Sequence, residues 1–427
     1  MTFAEKIERK LLPVATKLST NKYLMSMRDG ILLAMPLIIV GSAFMIIASF
    51  PIQAFTDFLT NVGATDYLWK AVNSSFGLVA LIASFGIANS MAHQFGVDGT
   101  PAGIISISSF ITVTPFISAE EIGSGIPIGW MGSKGLFVAI ILGLLVGKIY
   151  AWFINKNIVI KMPDSVPPAV SRSFTALIPA AAIISGSIIL AAGVDALGFG
   201  NIHEVIAVIL GKPLGVFGGN LFGTLVMVGL NSIFWFMGIH GGTMVGSVMN
   251  PIWLMLTDEN RLAFQAGQEL PNIITTPFLD LFVWIGGGGA TIGLAIAIAI
   301  IARRKNSSQL TKALAPVTST PALFNINEPL MFGIPIVMNV RMLVPFIITP
   351  MMNAVISYIA MGSGIVAKTT GANVPWTMPP VISGFLATND WKASVLQVLL
   401  IVMDTAVYYV FFRGIEHSFK EMEQEVD

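Results

Sequence analysis

The sequence predicts an all-α polytopic membrane protein, and three observations carry that prediction. Of its 427 residues 55% are hydrophobic and only 11% are charged. Mean hydropathy is +0.80. Long runs lack Asp, Glu, Lys and Arg altogether, which soluble domains of this length do not sustain. The run 31 to 55 comes first. As a helix it extends roughly 37 Å at about 1.5 Å per residue, more than the roughly 30 Å of a hydrocarbon core. Further uncharged runs cover 71 to 92, 173 to 194, 213 to 239, 281 to 302 and 342 to 367, with candidate spans near 101 to 118, 135 to 154 and 393 to 412. These give about eight to ten crossings. Ahead of them, Phe3, Ile7, Leu11 and Val14 recur at helical spacing among Glu5, Lys6, Glu8, Arg9 and Lys10, the pattern of an interfacial amphipathic helix rather than a cleavable signal peptide.

Charge excludes some functions. With 23 basic and 23 acidic residues there is no net field to favour nucleic acid or an anionic partner. Cysteine is absent, so disulfides and a phosphocysteine on this chain are excluded. No His or carboxylate cluster has metal-site spacing, and the 22 methionines scatter through apolar runs as packing residues. Lys17, Lys22 and Arg28 precede the first span, and Arg303, Arg304, Lys305 and Lys312 follow the run ending at 302. Both regions are expected to be cytoplasmic by the positive-inside tendency. Lys156, Lys161 and Arg172, with Pro163, Pro167 and Pro168, form a third basic connector that marks the expected boundary between residues 1–172 and 173–427.

The N-terminal half reads as scaffold. The C-terminal half is less regular: 213 to 257 is free of Asp, Glu, Lys and Arg yet is punctuated by Asn231, Gly238, His240, Gly241, Gly242, Asn250 and Pro251 up to its last residues. Irregular backbone at membrane depth survives only inside protein or beside a water-filled cavity, so re-entrant hairpins are expected near 240 to 256 and 320 to 340. Gly286 to Gly289 is read first as a site of close helix approach and second as a hinge; it lacks the spacing of a phosphate loop.

Against this background Asn325-Ile326-Asn327-Glu328-Pro329 stands out. An ionisable group costs several kcal/mol or more outside water, so an intramembrane carboxylate marks a solute or ion pathway. Glu328 either holds a polar solute or pairs with a buried Arg or amide, and the flanking Asn325 and Asn327 favour the solute. Trp235 to Gly242 and Val374 to Pro380 each place an indole beside a polar group in irregular chain. A pyranose offers an apolar CH face to such a ring while its hydroxyls need directional partners. His240, next to Gly241 and Gly242, is a second polar candidate. Lys134 reads as an interface cation with a lesser claim to substrate contact, and Asp404, inside the last apolar segment, needs a partner the sequence does not name.

The string Asn-Ile-Asn-Glu-Pro-Leu-Met-Phe-Gly at 325 to 333 resembles the signature of the lactose/cellobiose family of phosphotransferase-system sugar permeases, the enzyme IIC components. Met27 to Gly30 with Met35 to Ile38, Gly132 to Phe137, Trp235 to Gly241 and Val374 to Thr377 extend the resemblance over nearly the whole chain; the diacetylchitobiose and cellobiose transporters look closest. It implies a homodimer in the bacterial cell membrane, about ten transmembrane helices, a dimerising N-terminal domain and a mobile C-terminal domain with two hairpins. It also implies inward movement of a β-linked disaccharide and its phosphorylation at a C6 hydroxyl by a separate phosphocysteine protein, enzyme IIB, with IIA and HPr upstream and no cofactor. Carried onto this sequence, Glu328 and His240 contact the reacting hydroxyl, Trp376 and Trp235 pack on sugar rings, and Asn327, Gly241, Thr377 and Lys134 are further substrate-binding candidates. The rival from another class is a proton-coupled symporter in which Glu328 and His240 carry protons; a passive channel leaves the paired aromatic and polar segments without a purpose.

Overall fold

The computed structural model describes residues 13, 16, 17, 20–119, 123–163, 165–334, 336, 337 and 339–426. The expected amphipathic helix on Phe3, Ile7, Leu11 and Val14 lies outside the described residues, Pro13 apart. Among those described, six helices are long and apolar enough to cross a membrane: Lys22–Ala48, Ala64–Gln94, Ser133–Asn155, Leu177–Ala196, Arg341–Gly362 and Trp391–Gln424. A seventh results if Ile202–Gly218 and Leu221–Phe236 count as one span. This is fewer than the run count suggests, for a physical reason. Thr100–Val113 and Ile292–Ala302 are apolar but only 14 and 11 residues long, about 21 and 16 Å of helix. Among the described residues the only strands are a short antiparallel pair, Ile117–Ala119 with Gly123–Gly125.

The chain forms two compact units. One comprises Leu18–Ala48 and Ala54–Val216; the other comprises Ser49–Gln53 and Phe217–Asp427 and takes in the described residues up to Lys17. The division falls well beyond the proline-rich connector, because Leu177–Ala196 packs on Thr100–Val113 and Leu136–Asn155.

In the first unit Val79–Gln94 is the central helix, in contact with Lys22–Leu32, Thr100–Val113 and Leu136–Asn155. Small residues bring these backbones together, the main device for helix association in lipid. A Cβ on Gly86 would stand 2.6 Å from the Gly30 carbonyl oxygen, and one on Gly147 would stand 2.6 Å from that of Ala88. Buried hydroxyls pair between Val79–Gln94 and Thr100–Val113, with Ser84 and Ser106 Oγ atoms 2.7 Å apart. Asn21 starts the first helix by accepting from the Tyr23 and Leu24 amides, and Pro101 occupies the first turn of Thr100–Val113, where its missing N–H costs nothing.

The second unit is interrupted. Leu221–Phe236 is capped by Asn220, which accepts from Gly223 N at 2.7 Å. A turn through Gly238, with φ of 77°, then leads to Gly241–Gln265. Residues 241–265 form one continuous helix with Pro251 inside it, so the irregular backbone expected near 240 to 256 is confined to the turn before it. The apolar run 281 to 302 is not a single span. It comprises a π-helical turn at Leu279–Val283, the glycine run as an open turn, and the Ile292–Ala302 helix. Gln309–Leu323 and Glu328–Gly333 flank a turn that holds the Asn-Ile-Asn-Glu motif. Behind these segments Ile292–Ala302 packs on Trp391–Val426, and Leu221–Phe236 on Val340–Gly362, around a buried core that includes Leu294, Ile298, Phe346 and Phe412.

Candidate functional site

The breaks in the second unit converge on one cavity of about 170 Å³, lined by Asn231, Trp235, His240, Gly242, Asp280, Trp284, Gly287, Gly288, Asn325, Asn327, Glu328 and Trp376. A water needs roughly 10–15 Å³ on such a measure, so the space suits a larger solute. Every lining residue belongs to the Phe217–Asp427 part of one unit.

Asn325 organises this cavity. It sits in the left-handed region at φ 58°, which Asn tolerates better than most residues. Its Nδ2 donates to the Trp376 carbonyl at 2.5 Å and the Met378 carbonyl at 3.2 Å, while its Oδ1 accepts from Gly286 N at 2.7 Å. One side chain thereby fastens the motif to the Trp376 segment and to the glycine run. Asn327 adds a bond from Nδ2 to the Gly288 carbonyl at 3.0 Å. The amide groups of both asparagines are thus engaged with backbone that shapes the cavity.

The glycine run needs glycine for two reasons. Gly286, Gly287 and Gly289 have φ of 86°, 93° and 84°, conformations costly for residues with a Cβ. Gly288 lies under the Trp235 indole, where a Cβ would approach Nε1 to 2.5 Å. Close approach therefore holds, but between a turn and side chains rather than between two helices. The carbonyls freed by the broken helix are taken by side chains: Thr291 donates to Gly286 O at 2.5 Å and Tyr408 donates to Gly289 O.

His240 is the N-cap of Gly241–Gln265. Its Nδ1 accepts from Thr243 N at 3.1 Å, so the neutral ring carries its proton on Nε2 and acts from that atom as a donor. The ring lies 4.4 Å from that of Trp235. Gly241 packs against the Asn231 carbonyl, where a Cβ would be 2.1 Å away, and it is Gly242 that lines the cavity. Glu328 opens the Glu328–Gly333 helix and is exposed, with no Arg or amide paired to it among the described residues. Trp376 is 50% exposed and Trp235 only 7%, so Trp376 offers the more open face to a solute.

Of the residues singled out from sequence, Glu328, His240, Trp235, Trp376 and Asn327 are brought together. Gly241 and Thr377 adjoin lining residues, and Lys134 belongs to the other unit, in the turn Ser133–Gly135. Sequence reasoning did not assign Asn231, Asp280, Trp284, Gly287 or Gly288 to the site. Asn231 Oδ1 and Trp284 Nε1 are buried without a hydrogen-bond partner among the described residues. Trp284 itself stands edge-on to Trp253, ring centres 6.1 Å apart. Among the described residues no three His, Asp or Glu side chains are placed to share a metal ion.

Residues 28–350 match the family Phosphotransferase system, EIIC. The chain belongs to that family. Over 430 residues it is 45% identical to the "Putative permease IIC component YwbA" of Bacillus subtilis (strain 168), covering 98% of this chain and 96% of that protein. It is 43% identical to the "PTS system cellobiose-specific EIIC component" of Geobacillus stearothermophilus, covering 100% and 96%. The crystal structure of the transporter ChbC, the IIC component from the N,N'-diacetylchitobiose-specific phosphotransferase system, superposes with a TM-score of 0.93 at 39% identity, covering 98% of this chain and 99% of that one. This EIIC chain is accordingly a membrane-embedded sugar-transport component, with several apolar helices suited to a plasma membrane.

Proposed function

We propose that this EIIC chain carries a β-linked disaccharide of the cellobiose or diacetylchitobiose type inward and presents its C6 hydroxyl for phosphorylation by a separate enzyme IIB. One observation carries the reading: a carboxylate unpaired among the described residues, Glu328, lines the same cavity as His240, Trp235 and Trp376. The relatives named for cellobiose and diacetylchitobiose support the substrate class.

In this reading the exposed face of Trp376 takes an apolar sugar face, with Trp235 beside it, while Asn231, Asp280 and Trp284 offer polar atoms to ring hydroxyls. Glu328 accepts the proton of the C6 hydroxyl as its oxygen attacks the phosphorus of the phosphocysteine, the phosphorus–sulfur bond breaks and the thiolate leaves. His240 donates from Nε2 to the same oxygen in the bound sugar. Its Nδ1 is committed to the Thr243 amide, which weighs against a symporter that loads and unloads a proton on this ring. The product carries roughly −1.5 to −2 charges on its phosphate. Beside Glu328 those charges repel, so release follows transfer and return is disfavoured. A site built wholly within one compact unit suits rigid-body alternating access, in which that unit moves with its cargo. A cytoplasmic N-terminus, supported by Lys17, Lys22 and Arg28, and a homodimer of this chain complete the proposal, with IIA and HPr upstream of the separate IIB that supplies the phosphate.

The test is Glu328→Gln in vesicles supplied with phosphorylated enzyme IIB. Cellobiose binding is expected to persist while phosphorylation falls by about 10²–10⁴, the usual worth of a positioned general base. Undiminished phosphorylation would exclude the base role. Accumulation of free sugar driven by a proton gradient alone would favour symport.

A further inference from the structure

Asp404 is a carboxylate wholly enclosed by this apolar chain, and it lies apart from the residues lining the cavity. It is wholly buried on Trp391–Val426, as are Asn353 and Ser357 on Val340–Gly362. Asn353 Nδ2 donates to Asp404 Oδ2 at 3.0 Å and to the Val283 carbonyl at 3.4 Å. Three oxygens are left over: Asp404 Oδ1, Asn353 Oδ1 and Ser357 Oγ are buried with no partner among the described residues. Among those residues no Lys, Arg or His forms an ion pair with Asp404, and Tyr408, one turn along, is a titratable neighbour. Gly293 presses its backbone onto the acid, where a Cβ would come within 2.6 Å of Asp404 Cβ.

An ionised carboxylate only accepts. Ionised, Asp404 would be a buried charge with no cation paired to it and one oxygen left without a donor among the described residues, the arrangement that low-dielectric surroundings penalise most. One proton resolves it. On Oδ1 it turns the acid into a donor, and an acid and a primary amide side by side can exchange two hydrogen bonds, Nδ2–H to Oδ2 and Oδ1–H to the amide oxygen.

We propose that Asp404 is held as the neutral acid, its proton shared with Asn353, and that this pair is a positioning device for the cavity wall. The connection to the wall is direct. Asn353 holds the Val283 carbonyl, just before Trp284, and Tyr408 holds the Gly289 carbonyl at the far end of the glycine turn. The two contacts fix both ends of the segment that places Trp284, Gly287 and Gly288 in the cavity. Asp404 acts through Asn353 and does not touch the sugar.

The test compares purified wild-type protein with Asp404→Asn and Asn353→Leu. The infrared difference spectrum of wild type minus Asp404→Asn is expected to contain the carbonyl stretch of a neutral carboxylic acid; its absence overturns the proposal. Asp404→Asn, which keeps shape and neutrality, is expected to bind cellobiose within about threefold of wild type, whereas Asn353→Leu weakens binding about tenfold or more. An Asp404→Asn protein that fails to fold, or that loses binding as severely as Asn353→Leu, contradicts a neutral Asp404. A wild-type affinity that depends on sodium when choline replaces it would assign the orphaned oxygens to a cation instead, and also overturns the proposal. The binding readout rests on the sugar reading of the cavity. The infrared band does not, so wild-type protein that shows the band yet binds no cellobiose would defeat that reading alone.

Discussion

Glycine serves opposite ends in the two units. In the Leu18–Val216 part, Gly30, Gly86, Gly143 and Gly147 sit inside regular helices, and a Cβ on any of them would come within 2.8 Å of a neighbouring helix. In the Phe217–Asp427 part, Gly286, Gly287 and Gly289 adopt positive φ in a turn whose backbone is held by Asn325, Thr291 and Tyr408. The scaffold helices satisfy their own backbone and use small residues to approach one another. The site segment gives up its helical bonds and relies on side chains from distant parts of the chain. A cavity wall is made where those side chains are spent.

Four substitutions sharpen this contrast. The largest loss is expected for Asn325→Ala, which removes three hydrogen bonds at the centre of the site and costs roughly 3 kcal/mol or more, since buried groups are left unpaired. A thermal melt in detergent should fall, with cellobiose affinity falling too. Gly86→Val in the scaffold should cost about 1–3 kcal/mol from overpacking, read in the same melt, and should leave the affinity of the folded fraction unchanged. Gly288→Ala should behave in the reverse way: its Cβ meets the Trp235 indole, so affinity drops about tenfold, equivalent to about 1.4 kcal/mol, while the melt moves little. Ser84→Ala, which removes the contacts of Ser84 Oγ with the Ser106 carbonyl at 3.2 Å and hydroxyl at 2.7 Å, should cost about 1 kcal/mol. If Gly288→Ala and Gly86→Val lower stability alike and leave affinity alike, the two kinds of glycine are not distinct.

How much of this was legible in the sequence depended on what each residue broadcasts locally. Charge-free runs located Lys22–Ala48, Ala64–Gln94, Leu177–Ala196 and Arg341–Gly362 because burial in lipid is written into composition. Residues 281 to 302 misled for the same reason: glycine and isoleucine read as apolar whether they form a helix or a turn, and the break is set by four positive φ values, at Gly286, Gly287, Gly289 and Ala290, and by Asn325, 39 residues from Gly286. At the site, Glu328, His240, Trp235 and Trp376 were visible as polar or amphipathic groups in the wrong solvent. Asn231 gave the same signal, a polar side chain in the middle of an apolar helix, and was read only as a breaker. Asp280 sits at the edge of a charge-free run and Trp284 inside one, and only the fold turns them toward the cavity. Asp404 announced that it needed a partner; Asn353, 51 residues away, is supplied by tertiary packing.

The most direct measurement is a structure of the chain with cellobiose bound. The account predicts the disaccharide in the cavity of the Phe217–Asp427 part, one pyranose face on Trp376 and a C6 hydroxyl within hydrogen-bond distance of Glu328 and His240. Sugar bound elsewhere, or bound there with its C6 hydroxyls turned away from Glu328, would contradict it.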